Sequence, residues 1–382
     1  MDSDDKPVPF NRPAIAENQL DYVSQSFLSD KISGDGPFTR RVESAMSSIL
    51  ELGESHVLLT PSCTAALEMC ALLLELQPGD EIIVPSFTFV STANAFAMFG
   101  AVPVFADVDP VRFNLDPSDV ERLLTPRTRA VVVVHYGGVP ADLDSLLKIC
   151  DAAGVPLIED AAHGLFGSHA GKALGRFGAL STFSFHETKN ISCGEGGALV
   201  INDERYLERA QIIREKGTDR SRFMQGLVDK YSWVDLGSSY LLADTLAAVL
   251  LAQLEDSASI QRRRRAAWRC YSEALAGWAD ANGVVLPQPL GPVDVDPAHL
   301  FAFLLPNPDS RQRFLAHSRE HAVSSVFHYL PLNTAPFAQR FGAGVCPITE
   351  DISPRLARIP LFSDIEAGEV DRVIEAVVSF RA

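Results

Sequence analysis

The sequence predicts an α/β fold with a mostly parallel central sheet, followed by a smaller C-terminal α/β domain. Short runs rich in β-branched residues, such as 130–134, alternate with segments of helical period from about residue 56 to residue 201. Apolar strands that alternate with helices are typical of a parallel sheet covered on both faces. After residue 201 long helical segments take over, and a chain of 382 residues is expected to form about two domains. We therefore predict a large domain over residues 1–250 and a small domain over residues 251–382.

The individual elements follow from hydrophobic period, capping residues and turn signals. A loose tail at 1–9 is expected to precede helices at 17–28 and 38–52. The strands of the large domain are predicted at 56–59, 81–84, 102–105, 129–134, 155–158, 180–185 and 198–201. The helices between and after them are predicted at 65–76, 90–99, 142–153, 204–216 and 240–275, the last with a break near 256–259. A further helix is predicted to begin after an N-cap at Asp116. Residues 219–233 are polar and irregular, and the small domain is predicted to contain strands at 300–304 and 323–327 and helices at 310–320 and 366–380.

Composition and charge disfavour several classes of protein. The net charge of −16 opposes general nucleic-acid binding, which depends on neutralising phosphates. The basic run 262–265 fans around a helix and is predicted to be solvated or ion-paired, with a dimer contact or a phosphate contact as the alternatives. No apolar run is long enough to span a bilayer, and the acidic start lacks a signal core, so we expect a cytoplasmic protein. The six scattered cysteines form no CxxC pair, which favours reduced thiols and no metal site.

One lysine, Lys189, stands between a buried strand at 180–185 and a glycine-rich turn at 194–197. The other six lysines lie in the tail, in helices with polar neighbours, or in polar loops. An amine in a dry environment has a lowered pKa and becomes nucleophilic. The setting favours a lysine that forms a Schiff base with the carbonyl carbon of pyridoxal phosphate (PLP). A structural lysine in a loop is the alternative.

A PLP site also needs a carboxylate for the pyridine nitrogen, and Asp160 ends the strand that begins at residue 155. His163 follows it and could touch the phenolic oxygen of the cofactor. An N-cap or loop role is the alternative for Asp160, and a hydrogen-bonded loop position is the alternative for His163. Both residues lie at the carboxyl end of a predicted parallel strand, where ligands of such sheets bind.

The remaining requirements are donors for a phosphate and a flat group on the ring. The turn Ser62-Cys63-Thr64 precedes an apolar helix, whose N–H groups and dipole attract anions, although capping alone explains the hydroxyls. Ser184 could reach the same phosphate. Phe89 follows another strand and could stack on the ring, with core packing as the alternative.

Four motifs with these residues resemble those of the PLP-dependent sugar aminotransferases of the DegT/DnrJ/EryC1/StrS family. They are PSCTAALE at 61–68, VPSFTFVST at 84–92, EDAAH at 159–163 and SFHETKNISCGEGG at 184–197. The resemblance runs from about residue 9 to the C-terminus. Further motifs at 34–41, 214–218, 236–240 and 326–332 are similar to a branch that transfers the amino group of L-glutamate to the 4-keto group of a dTDP-linked sugar.

The resemblance implies fold type I, that of aspartate aminotransferase, and a homodimer whose sites are built from both subunits. It implies Lys189 as the Schiff-base and catalytic lysine, with Asp160 at the pyridine nitrogen, Phe89 on the ring and His163 near the phenolic oxygen. It also implies that Ser62, Thr64 and Ser184 hold the phosphate, with Cys63 in the same turn.

Many members of the family carry an asparagine that reaches the phosphate in the partner subunit, and Ser239 stands at the matching position here. Lys216, His328 and Tyr329 are candidates to contact the sugar or its diphosphate, with core packing as an equal alternative for Tyr329. Another keto sugar or a cyclitol is the alternative substrate. A regulator that binds PLP without turnover is the alternative from outside the enzymes, with amino transfer from glutamate as the discriminating assay.

Overall fold

The structure is a computed structural model that describes residues 6–53, 55–224, 226–288, 294–342 and 344–382. The helices of the described residues are α1 (Gln19–Leu28), α2 (Pro37–Ile49), α3 (Cys63–Leu73), α4 (Ser91–Ala97), α5 (Pro117–Leu123), α6 (Leu143–Ala153), α7 (Leu207–Arg214), α8 (Arg220–Met224), α9 (Asp244–Glu255), α10 (Ser257–Asn282), α11 (Pro308–Glu320), α12 (Pro347–Ile352) and α13 (Ala367–Ser379). The strands are β1 (Val57–Thr60), β2 (Glu81–Pro85), β3 (Val102–Ala106), β4 (Thr128–Val134), β5 (Leu157–Asp160), β6 (Ser168–His169), β7 (Lys172–Ala173), β8 (Leu180–Ser184), β9 (Gly197–Ile201), β10 (Phe301–Leu304) and β11 (Leu356–Ile359).

The centre of the fold is a seven-stranded sheet in the order β1-β9-β8-β5-β4-β2-β3. Six strands run in one direction and β9 runs against its neighbours β1 and β8. Nearly every residue of β1, β2, β4, β5 and β9 is buried, because helices cover both faces of the sheet. The predicted α/β class with a mostly parallel sheet is confirmed.

The cores show how the helices are distributed. Helix α3 lies on one face of the sheet, and α2 and α9 cover the other face, where α9 also packs against α1. A separate core forms where α10, α11 and α13 pack on the antiparallel pair β10–β11. The division of the chain near residue 250 stays a prediction. Within the described part of the chain, no helix is both long and apolar enough to cross a membrane.

Two predictions are wrong: the loose tail at 1–9 and the strand at 323–327. Residues 1–5 of the expected tail lie outside the described residues, but Val8 is fully buried and pairs with Val323. The segment 323–327 forms no regular strand, because its partners are single bridges from Val323 to Val8 and from Val326 to Arg358. The second strand of the small sheet is β11, whose short run Leu-Ala-Arg-Ile gives little periodic signal in the sequence.

The irregular stretch 219–233 contains the short helix α8, and the long helix breaks at Asp256 as expected.

The basic run 262–265 is only partly the solvated helix face that was predicted. Arg263 lies 3.1 Å from the carboxylate of Asp364, an exposed ion pair. Arg264 is 2% exposed and donates hydrogen bonds to three backbone carbonyls, those of Ala298, His299 and Leu361. Burial lowers the pKa of Arg264 to about 9. Arg264 thus links the long helix α10 to two loops of the C-terminal half.

Glu159, one residue before the predicted site carboxylate, organises the loop between β7 and β8. Its side chain is fully buried and accepts hydrogen bonds from His135 Nε2 at 3.0 Å and from the backbone N–H groups of Gly175, Phe177 and Gly178 at 2.8, 2.6 and 2.7 Å. Burial alone would raise the pKa of Glu159, but the hydrogen bond from His135 and the backbone donors lower it below its ordinary value. This many donors favour the carboxylate of Glu159 over its protonated form.

Replacing Glu159 with alanine should lower the free energy of unfolding by about 3–5 kcal/mol, because several buried donors lose their partner. Since the folded-state pKa lies below the ordinary value of 4.5, the stabilisation by Glu159 is complete above that pH and is lost as the pH falls through the folded pKa. Urea denaturation at pH 7 and at pH 4 measures both effects. The exposed Glu121→Ala on α5 is the control and should change stability by less than about 0.5 kcal/mol. Equal stability of the two variants at pH 7 would contradict the assignment.

Candidate active site

A cavity of about 550 Å³ opens at the carboxyl edge of the central sheet. Its wall is formed by residues that follow β1, β2, β4, β5 and β8, and the C-terminal half of the chain closes it from the other side. Ten predicted site residues line this cavity: Ser62, Cys63, Thr64, Phe89, Asp160, His163, Ser184, Lys189, His328 and Tyr329. The first eight meet because parallel strands end at the same edge of a sheet.

Lys189 lies in the tight loop after β8, where its backbone N–H donates to the carbonyl of His186 at 2.9 Å. Its side chain is partly buried at the cavity wall, and none of the described hydrogen bonds reaches its Nζ atom. Burial lowers the pKa of Lys189 to about 8, with Arg358 adding to the shift and Cys63 and Asp160 opposing it. The lowered pKa makes the unprotonated amine, the form that attacks a carbonyl carbon, easier to reach than in an ordinary lysine.

Asp160 is the last residue of β5 and is 5% exposed. Its Oδ2 accepts a hydrogen bond from Thr92 Oγ1 at 2.7 Å, and its Oδ1 accepts one from Ala162 N at 3.2 Å. Burial raises its pKa, and these donors and Lys189 oppose that shift. The carboxylate is held rigidly beside the cavity, and a cation or a protonated ring nitrogen placed there would offset its desolvation.

Hydroxyl groups gather where α3 and α4 begin. Ser62 caps α3 by accepting a hydrogen bond from Ala65 N at 3.0 Å, and Thr64 Oγ1 donates to Ser91 Oγ at 2.8 Å. Capping and anion binding are compatible here, because the Ser62 O–H and the first N–H groups of α3 are still available to a ligand. Ser184 lies on the same cavity wall.

The start of β9 lies against this helix terminus at a distance that only glycine permits. A Cβ atom on Gly197 would lie 2.3 Å from the carbonyl carbon of Ser62 and 2.4 Å from the backbone nitrogen of Cys63. Gly194 in the same turn has φ +89°, which L-residues rarely adopt. The glycines after Lys189 thus bring the lysine loop and the helix terminus together.

Aromatic side chains form the opposite wall. Phe89 is 57% exposed and borders the cavity, so core packing does not describe it. Tyr329 lines the cavity and also packs against Phe87, with the ring centroids 5.6 Å apart, and its contact with substrate stays a prediction. His328 stacks on Tyr329 at 4.0 Å, and burial lowers the pKa of His328 so that its ring stays neutral.

Arg358 is the main site residue that the sequence did not reveal. It lies on β11, is 7% exposed, and lines the cavity. Its Nη1 atom contacts the ring nitrogens of His328, its guanidinium lies 4.7 Å from the ring centre of Phe10, and none of the described carboxylates pairs with it. Its Nε atom is buried without a hydrogen-bond partner among the described residues. Burial lowers the pKa of Arg358, and an anion in the cavity would relieve that penalty.

Lys216 and Ser239 lie outside the cavity of their own chain. Both are exposed, and they are neighbours because Glu215 pairs with Ser239 and Lys216 N donates to the carbonyl of Ser238 at 3.0 Å. The predicted role of Ser239 concerns the partner subunit, so it stays a prediction. The predicted contact of Lys216 with the sugar or its diphosphate also stays a prediction.

Other cavity residues were also missed. Ser91 lines the cavity, and the buried Thr92 behind it donates to Asp160; the sequence shows both only as parts of a motif, although hydroxyls at the start of a helix beside a strand end are an anion-site signal. His299 precedes β10 and gives no signal, because its contact with the cavity depends on packing between the two halves of the chain.

The fold and the cavity define the class of protein: a mostly parallel sheet with a lysine at its carboxyl edge is the fold type I of PLP-dependent aminotransferases. The model of the DegT/DnrJ/EryC1/StrS aminotransferase family matches residues 13–378, and the chain belongs to this family.

Solved structures agree with this assignment. The aminotransferase TlmJ from Streptoalloteichus hindustanus is 30% identical, with a TM-score of 0.90 over 97% of this chain and 98% of that chain. Spr1654 from Streptococcus pneumoniae, solved in a PLP-form, is 24% identical with a TM-score of 0.89 over 98% of both chains. The sugar aminotransferase CalS13 from Micromonospora echinospora is 24% identical with a TM-score of 0.86 over 97% of this chain and 99% of that chain. At 24% identity the last two show the shared fold alone.

Proposed function

We propose that this protein is a PLP-dependent aminotransferase that moves the amino group of L-glutamate to the 4-keto carbon of a nucleotide-linked sugar. The specific reaction proposed is conversion of dTDP-4-dehydro-6-deoxy-D-glucose to dTDP-4-amino-4,6-dideoxy-D-galactose. The observation that carries the proposal is the cavity amine of Lys189, whose pKa of about 8 suits both attack on a carbonyl and proton transfer. CalS13, which shares the fold, is a sugar aminotransferase, and Spr1654 was solved with PLP.

The residues of the cavity fit PLP. Ser62, Thr64 and Ser184, with the N–H groups of α3, would hold its phosphate, and Asp160 would pair with its ring nitrogen. His163 faces the same space, with Gly137 N–H donating to its Nδ1 atom at 3.2 Å. PLP, when bound, supplies an electron sink for the carbon that loses its proton. Lys189 would supply the amine that holds the cofactor, and once the amino donor has displaced it, its Nζ atom would move a proton as general base and acid.

Arg358 supports an amino donor that carries a carboxylate. Its buried guanidinium has no carboxylate partner among the described residues, and a guanidinium binds a carboxylate with two parallel hydrogen bonds. His328 receives its Nη1 and stays neutral, so the positive charge of Arg358 remains available to the ligand. L-Glutamate carries the required carboxylates, and Arg358 would orient it toward Lys189.

A second copy of the chain is expected to complete the site. The segment made of residues 223–224 and 226–236 exposes several large apolar side chains, among them Met224 at 72%, Leu227 at 64% and Trp233 at 78%. Exposed apolar side chains of this size that lie close together in the chain favour an interaction surface. Lys216 and Ser239 flank it, and Thr218 pairs with Trp233. A homodimer that buries this segment would carry Lys216 and Ser239 toward the partner's cavity.

The function is tested by incubating the purified protein with PLP, ¹⁵N-labelled L-glutamate and a panel of nucleotide-linked keto sugars. The panel varies the nucleotide and places the keto group at C3 or at C4. We expect release of 2-oxoglutarate and a ¹⁵N-amine at C4 of the dTDP sugar, assigned by NMR. Preference for a C3 ketone, for another nucleotide or for a cyclitol would overturn the substrate assignment while leaving an aminotransferase. If the protein bound PLP but released no 2-oxoglutarate from glutamate with any keto sugar of the panel, it would instead be a non-catalytic regulator.

A further inference from the structure

Two histidines from distant parts of the chain stack at the base of the cavity. The rings of His163 and His299 have centroids 4.1 Å apart and an interplanar angle of 29°. Both residues are less than 9% exposed, and both line the cavity beside Lys189. His163 follows β5 of the central sheet, whereas His299 precedes β10 in the C-terminal half. The pair therefore forms a contact between the two halves of the molecule at the proposed cofactor pocket.

The loop that carries His299 is held in a strained conformation. Ala298 has φ +51°, a left-handed value that is costly for any residue with a Cβ atom. The surrounding contacts enforce it: Asp296 Oδ1 accepts from Ala298 N at 2.6 Å, and Arg264 donates to the carbonyls of Ala298 and His299 at 3.0 and 2.7 Å. Strain that is over-determined by its surroundings clusters at functional positions. The hydrogen bonds of the buried Arg264 and the strained backbone of Ala298 together fix the position of the His299 ring.

The hydrogen-bond partners assign the protons of the two rings. Asn190 Nδ2 donates to the carbonyl of Pro297 at 2.8 Å, so its Oδ1 is an acceptor and receives the proton of His299 Nδ1 at 2.9 Å. Gly137 N–H donates to Nδ1 of His163, so this ring carries its proton on Nε2. The two neutral rings are thus opposite tautomers. Asn190 directly follows Lys189, which links the His299 tautomer to the lysine loop.

We propose that His299 is a positioning residue of the cofactor pocket, which stacks on His163 and holds its Nε2–H toward the cavity as a hydrogen-bond donor. The proposal rests on the proposed function, because the acceptor is an oxygen of bound PLP. Lys189, Arg264 and Arg358 are cations near the pair and disfavour a charge on either ring. His328 is neutral, and Asp160 and Glu195 are the anions of the same cavity, which act in the opposite direction. Burial lowers the pKa of both His163 and His299 well below the usual range.

The tautomers can be measured independently of turnover. In protein labelled with ¹⁵N-histidine, ring nitrogen shifts report which nitrogen carries the proton, and His163→Gln and His299→Gln assign the two signals among nine histidines. We expect His163 to be neutral with its proton on Nε2, and His299 to be neutral with its proton on Nδ1, from pH 6 to pH 8. A His163 that titrates in this range, or that carries its proton on Nδ1, would overturn the proposal.

Three variants separate stacking from hydrogen bonding. His299→Phe keeps the stacked ring and loses the donor to Asn190, His299→Asn keeps a donor and loses the ring, and His299→Ala loses both. The readout is the pH midpoint of the visible absorption change of lysine-bound PLP. An N–H donor beside an oxygen anion stabilises the form that has lost its proton, so misplacing that donor raises the midpoint.

We expect His299→Ala and His299→Asn to raise this midpoint by roughly one pH unit and His299→Phe to stay within about 0.3 unit of the wild type. The control is His317→Phe, in a second histidine pair remote from the cavity with centroids 4.1 Å apart, which should leave the midpoint unchanged. A wild-type midpoint in His299→Asn would refute the stacking role. If PLP gave no visible band with the wild type, the proposed function would fail, and the ring-nitrogen shifts would still decide the arrangement of the pair.

Discussion

Lys189→Ala should abolish amino transfer, with a loss of at least about 1,000-fold in kcat, because the variant lacks both the amine that bonds PLP and the group that moves the proton. The visible absorption of the lysine-bound cofactor should disappear at the same time, and borohydride should no longer attach PLP covalently to the chain. Both changes follow from the same amine, whose pKa is lowered to about 8 by burial in the cavity. Steady-state release of 2-oxoglutarate and absorption spectra of the purified variant measure them.

The matched controls are Lys148→Ala and Lys189→Arg. Lys148 is exposed on α6 and its variant should behave as the wild type. Arginine keeps the positive charge at position 189 but is protonated at all accessible pH values, so Lys189→Arg should be as inactive as the alanine variant. Wild-type turnover by either Lys189 variant would show that this lysine is not the catalytic amine.

Arg358→Leu should raise the KM for L-glutamate by about 100-fold, because a hydrogen-bonded ion pair to a substrate carboxylate contributes roughly 3 kcal/mol. The half-reaction with the keto sugar should be affected far less if Arg358 contacts the donor carboxylate alone. Its guanidinium has no competing carboxylate among the described residues and lies beside the neutral His328. Separate single-turnover measurements of the two half-reactions distinguish the effects.

Arg319→Leu is the control for Arg358, since Arg319 is exposed on α11 and should leave both half-reactions unchanged. Arg358→Lys should recover part of the affinity, because it keeps the charge but loses the two parallel donors. Equal losses in the two half-reactions of Arg358→Leu would mean that this arginine orders the whole cavity and does not select the donor.

The strand ends of the site were predictable because their signals are local. A buried strand followed by a polar residue appears in the sequence at Asp160, at Ser184 and, with the glycines behind it, at Lys189. Parallel strands end at one edge, so the residues after them meet without further information. The structure places ten of the predicted residues around one cavity. Their individual roles toward PLP and substrate stay predictions until the variants are measured.

The residues that the sequence missed depend on contacts between distant segments. β11 is four residues long and pairs with β10 across a separation of about fifty residues, so Arg358 shows no periodic pattern of its own. The expected strand at 323–327 is absent because it also depends on distant partners. Val8 and Arg358 each form only one bridge with this segment. Pairing partners decide whether a β-prone run becomes a strand.

The sequence by itself determined the α/β class, the parallel sheet and the lysine at its edge, because hydrophobic period and turn chemistry act between neighbours in the chain. Only the tertiary structure decided the chemistry of the cavity. The pKa of Lys189, the charge of Arg358, which none of the described carboxylates pairs, and the tautomers of His163 and His299 all depend on burial and on partners from remote segments. Desolvation and hydrogen bonding are set by the packed surroundings, and those surroundings exist only once both halves of the chain have folded against each other.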